Sequence, residues 1–180
     1  MIWRFLNIIV LILIIPNFGY AQNEANIWYF GENAGLDFNS GTPVPLLDGA
    51  LNTLEGCTTI SDTSGNLLFY TDGSTVYNNN HAVMLNGTGL NGDSDSTQSA
   101  IIVPKPEDSN KYFIFTVDDG AGPDGLQYSE VDMTLDSGLG GITTNKNIVL
   151  SASTSEKITA IKSSTTNAFW VVSHNWNSNE

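Results

Sequence analysis

Three segments of this chain share one layout: "TTISDTSGNLLFYT", "AIIVPKPEDSNKYFIFTV" and "KITAIKSSTTNAFWVVS". Each is an apolar strand pattern, then a polar turn ending in Gly or Asn, then a strongly aromatic strand. Their aromatic anchors Phe69, Phe115 and Trp170 recur at intervals of about 50 residues, the period of a propeller blade built from several short strands. Helices are disfavoured throughout. Gly, Asn, Ser and Thr are abundant, Lys, Arg and Glu are scarce, and no stretch after Ala21 sustains an apolar period of about 3.6 residues. The chain reads as all-β, a stack of β-propeller-like blades of short antiparallel strands.

Ten strands are predicted: 27–31, 58–61, 67–71, 75–77, 100–103, 112–117, 126–132, 147–150, 157–162 and 168–173. Each is rich in β-branched or aromatic residues and bounded by Gly, Asn, Asp or Pro. Between the first repeat's strands, Asp62 and Gly65 fit a type I turn, the carboxylate bonding nearby amides and the glycine accepting a positive φ. Asn110 and Asn167 hold the corresponding place in the other two repeats, and Asn tolerates that conformation next best. Asp72-Gly73 predicts a two-residue hairpin into 75–77. The stretch is similar to the aspartate box of sialidase-type propellers but departs from its spacing, so Asp62 and Asp72 read as turn residues. Three hairpin units fall short of the 4–8 blades that typically close a propeller. The sequence therefore reads as about three blades of a longer chain.

The N-terminus predicts the address. "MIWRFLNIIVLILIIPNFGYAQ" carries one positive charge at Arg4, an apolar run from Phe5 to Ile15 and the small residues Gly19 and Ala21 around a cleavage point. That is the layout of a secretory signal peptide over 1–21, cleaved after Ala21. The run is shorter than the ~18–20 residues that span a bilayer, so no stable membrane insertion is expected after cleavage. The mature domain is then 22–180. Removing Arg4 moves the formal charge from the −13 of the whole chain to −14. Such a surface repels nucleic acid and anionic headgroups. Cys57 is the sole cysteine, so no intramolecular disulfide forms, and it reads as a small apolar residue.

The run from "IWYFGENAGLDF" to "STQSAIIVPKP", with "YFIFTVDDG", "GLQYSEVDMTLDSGLGGIT", "SEKITAIK" and "FWVVSHNWNSN", resembles the N-terminal region of a family of large secreted Bacteroidetes proteins. These are described by a type IX secretion sorting signal or as gliding-motility-associated. The resemblance spans nearly all of the mature chain and implies a propeller, later adhesive modules and a C-terminal sorting domain. It implies no catalytic residues here.

Two loops are candidates for calcium, which takes 6–8 hard oxygen ligands. "NGDSDSTQS" offers Asp93 and Asp95, and "VDDGAGPDG" gathers Asp118, Asp119 and Asp124; the alternative for both is a solvated, turn-rich loop. No other cofactor is indicated. In "NIWYFG" strand alternation puts Trp28 and Phe30 on one side and Tyr29 on the other. With Trp28 and Phe30 packed inward, Tyr29 and the late Trp176 are candidate platforms for a sugar ring, core packing being the alternative. His81 and His174 have no adjacent nucleophile, and Glu55 beside Cys57 makes no acid/base pair. Three functions stay open: a non-catalytic secreted or cell-surface interaction module, a carbohydrate-active enzyme, and a glycan-binding propeller. The expected partners are an extracellular protein or polysaccharide and the remaining blades of a longer chain.

Overall fold

The computed structural model describes residues 23–178. The expected signal peptide lies outside the described residues. Apart from three short 3-10 turns, Asn23–Ala25, Asp119–Ala121 and Asp136–Gly138, the regular structure is all β. A three-stranded antiparallel sheet comes first, β1 (Ile27–Phe30), β2 (Ala34–Asp37) and β3 (Val44–Leu46). There follow β4 (Thr58–Ser61), β5 (Leu67–Thr71), β6 (Thr75–Asn78), β7 (Val83–Thr88), β8 (Ala100–Pro104), β9 (Lys111–Val117), β10 (Leu126–Asp132), β11 (Gly141–Ile142) and β12 (Ile148–Ser151). They form one nine-stranded sheet, ordered β4-β5-β6-β7-β11-β10-β9-β8 with β12 also on β10. Its two ends, β4 and β8, lie against each other, so the sheet is nearly closed and barrel-like. A final hairpin joins β13 (Ile158–Lys162) to β14 (Phe169–Ser173).

The three repeated segments are indeed antiparallel hairpins, β4-β5, β8-β9 and β13-β14. Two of them share the nine-stranded sheet, and β13-β14 forms a sheet of its own. A parallel bridge between Gly141 and Leu85 joins β11 to β7 and merges two meanders into one sheet. Four strands, β1, β4, β8 and β13, also run side by side in sequence order. Between β1 and β4 the link is a side chain, the Tyr29 amide donating to Thr59 Oγ1 at 2.9 Å. The Ile158 amide likewise donates to Gln98 Oε1 at 3.1 Å, tying β13 to the segment that enters β8.

β5 explains where the core sits. Its neighbours Phe69 and Tyr70 point to opposite faces, as strand geometry requires, yet both are fully buried. Phe69 enters a cluster with Ile60, Val76, Met84, Ala100, Ile114 and Val131, filling the space inside the nine-stranded sheet. Tyr70 enters a second cluster with Ile27, Tyr29 and Leu51, between that sheet and β1–β3. A strand buried on both faces reads as a continuous apolar run, and "LLFYT" is one.

The turns show how polar residues set register. Asp62 Oδ1 accepts from the amides of Ser64 at 2.8 Å and Asn66 at 2.9 Å, the Gly65 amide bonds the Asp62 carbonyl, and Gly65 sits at φ +86°. Asp62→Ala leaves these amides to water, and a loss of about 1 kcal/mol is expected in urea unfolding. An unchanged midpoint would show the turn to be set by Gly65 alone. Asn110 and Asn167 do not take the left-handed conformation; in the second hairpin Glu107 does, at φ +67°. There Asp108 supplies the turn bond, its Oδ1 accepting from the Asn110 amide. The β5-β6 hairpin is shifted by one residue from expectation. Pairing of Thr71 with Val76 puts Gly73 and Ser74 at its tip, and Asp72 accepts from the amides of Ser74 and Thr75.

Candidate functional site

The two acidic loops do meet, at Glu156. Its carboxylate accepts from the Thr97 amide at 3.0 Å and the Gly120 amide at 3.3 Å, one from each loop. Partial desolvation, then Glu156, and then Asp93 and Asp95 push the Asp119 carboxyl above its ordinary value. Three of the other carboxylates are spent on local bonds. Asp93 accepts from the Asp95 amide at 2.8 Å, and Asp118 accepts from the amides of Asp119 at 2.9 Å and Asp124 at 3.0 Å. Asp124 accepts from Asn91 Nδ2 at 3.0 Å. Among the described residues no group of three or more His, Cys, Asp or Glu is arranged to hold a metal ion. Here the acidic residues act as turn anchors and as a clamp between loops.

Tyr29 faces the opposite way from expectation. It is 4 % exposed while Trp28 is 49 % and Phe30 37 % exposed. The alternation holds with its phase reversed, because two specific bonds wait on the inner side. The Tyr29 hydroxyl donates to Asp48 Oδ1 at 2.8 Å, and its ring stacks on Tyr70 with centroids 4.6 Å apart. His81 meets the Tyr29 ring edge-on. A ring covered in this way offers no platform to a sugar. Trp28 instead donates its indole N–H to the Ala25 carbonyl and rests on Phe38.

Around Tyr29 lies a polar network that the sequence did not announce. The Ala50 amide donates to the Tyr70 hydroxyl at 2.9 Å, and that hydroxyl lies 3.0 Å from His81 Nδ1. On the other side of the ring, His81 Nε2 faces Asp48 Oδ2 at 3.5 Å. Burial pushes the Tyr29 and Tyr70 hydroxyls above their ordinary values. Tyr29 and Tyr70 are buried, while the Asp48 carboxylate is mostly exposed. The network fastens the segment before β4 onto β1 and β5. Trp176 is half-exposed in the turn beyond β14.

An open cleft of about 680 Å³ lies where the side-by-side strands meet. Ile60 of β4 and Ile102 of β8 form its apolar wall with Phe169 of β14, and Lys162 of β13 also lines it. Glu24 and Glu107 enter from the first turn and from the β8-β9 loop. No short motif brings these six together; only the packing of three hairpins and the first turn does. Comparison of the chain with protein-family models, with curated proteins and with solved structures finds no match.

Proposed function

We propose that the chain is a non-catalytic interaction module, the N-terminal blades of a β-propeller in a larger exported surface protein. The observation that carries this reading is the side-by-side packing of β1, β4, β8 and β13, each the first strand of a hairpin or meander. Propeller blades radiate from such first strands around an axis and stack face to face. The two core clusters support the same geometry. One lies between β1–β3 and β4–β7, the other between β4–β7 and β8–β11. On this reading the outer face of β13-β14, with Ile161, Trp170 and Val172 all more than half exposed, receives the next blade. Export, a surface location and membership of a motility-associated or adhesive protein rest on the N-terminal segment and on the family resemblance. An extracellular protein or polysaccharide is the proposed partner.

Where the two acidic loops meet, Glu156 is fixed by the backbone amides of Thr97 and Gly120, which disfavours an acid/base pair with Asp119 there. Incubation with a panel of polysaccharides should release no new reducing ends. Turnover of any of them would replace the module by a glycosidase or lyase.

A further inference from the structure

The cleft at the meeting of the first strands has the chemistry of a ligand site, and one cation singles out the ligand. Five lysines lie among the described residues. Lys105 is paired with Glu130 at 2.6 Å, and Lys111 faces Asp132 at 3.7 Å. Lys146 donates to the Asn86 carbonyl at 3.1 Å, and Lys157 donates to Thr97 Oγ1. Lys162 alone among them has a side chain with no hydrogen-bond or ion-pair partner, and it lines the cleft beside the paired Lys105. In a chain of net charge −13, an anion is repelled from most of the surface and finds here the one uncommitted lysine among the described residues.

The rest of the lining narrows the class. Phe169, Ile60 and Ile102 present an apolar wall, suited to the C–H face of a sugar ring. The carboxylates of Glu24 and Glu107, entering from other elements, carry no hydrogen bond and accept from hydroxyl donors. A ligand that satisfies all three has one carboxylate, several hydroxyls and an apolar ring face. We infer that this cleft binds a uronic-acid unit of an acidic polysaccharide, its carboxylate on Lys162 and its ring against Phe169. The inference rests on the local lining and not on the number of blades, so it stands or falls separately from the propeller reading.

Isothermal titration of the full chain with short oligomers of galacturonic acid, and with their neutral methyl esters, tests it. The acid form is expected to bind, and the ester at least about tenfold more weakly, because it lacks the charge-assisted bond. Lys162→Gln, at an exposed site, should weaken binding by about tenfold. Lys157→Gln makes the same change in net charge away from the cleft and should leave the affinity within about twofold. Absence of binding, equal binding of acid and ester, or equal effects of the two substitutions would overturn the site. Binding of polyglutamate as tightly as the uronate would overturn the sugar assignment and leave an acidic-peptide site instead. Release of reducing ends in the same mixtures would count against the non-catalytic reading alone.

Discussion

Phe69→Ala is expected to cost about 3–5 kcal/mol, the usual penalty for emptying a fully buried aromatic site. The side chain has no exposed surface and packs among Ile60, Val76, Ile114 and Val131, with the Tyr112 ring edge-on at 5.5 Å. These neighbours come from four strands of a sheet held in paired register, so they cannot collapse into the space without breaking that pairing. Total stability is typically only ~5–15 kcal/mol, so the variant should be partly unfolded at 37 °C. Leu47→Ala is the control; Leu47 is 85 % exposed, and its loss should stay within about 0.5 kcal/mol. Urea unfolding followed by tryptophan fluorescence checks both. A change below about 1 kcal/mol for Phe69→Ala would mean that the interior of the nine-stranded sheet is not a tight core.

The second large effect belongs to Glu130. Its side chain is almost wholly buried and accepts from Lys105 Nζ at 2.6 Å, from Asn145 Nδ2 at 3.0 Å and from Thr143 Oγ1 at 3.2 Å. The backbone joins in, the Thr143 amide bonding the Glu130 carbonyl and the Glu130 amide bonding the Asn145 carbonyl. One carboxylate thus organises the segment that follows β11. Glu130→Gln retains the shape but loses the charge, and a cost of about 2 kcal/mol is expected. In a chain of this size that corresponds to roughly 5 °C in Tm. The hydrogen bond from Lys105 is the main reason the Glu130 carboxyl is held below its ordinary value; burial opposes it and Asn145 assists. A depressed carboxyl contributes stability that is fully present above its unfolded value of about 4.3 and is lost as pH falls through the lower folded one. The gap between wild type and Glu130→Gln should therefore be wide at pH 6 and should narrow as pH drops below about 4. Calorimetry at both ends measures it. A gap that does not change with pH would assign the loss to packing rather than charge.

Much of the strand content was legible because its signals are local. β4, β5 and β10 begin and end at the residues expected from their β-branched and aromatic runs. Four strands escaped notice: β2 ("AGLD"), β3 ("VPL"), β7 ("VMLNGT") and β11 ("GI"). They hold glycine or proline, residues that ordinarily punctuate strands, and partners elsewhere hold them in place. Pro45 is tolerated because β3 pairs on one side only, with β2. Phase was less legible than period. Alternation in "IWYF" was correctly anticipated, but Asp48 and Tyr70 decide which face is inside. The same limit hid the Tyr-His-Asp network and the cleft. Their members stand at 29, 48, 70 and 81, and at 24, 60, 102, 107, 162 and 169, with no shared local pattern. The acidic loops show the converse. Their composition favours a cation, while the Asp93 and Asp118 oxygens accept from backbone amides.

The proposed stacking of hairpins around their first strands leaves the outer face of β13-β14 ready for a further blade. Ile161 pairs with Trp170 across that hairpin, and the two are 60 % and 70 % exposed. Size-exclusion chromatography with light scattering on residues 22–180 tests the claim most directly. The prediction is a partly oligomeric or aggregated chain, shifted toward monomer by Ile161→Thr with Trp170→Thr. A sharp monomer that melts cooperatively, unaffected by that pair of substitutions, would contradict it.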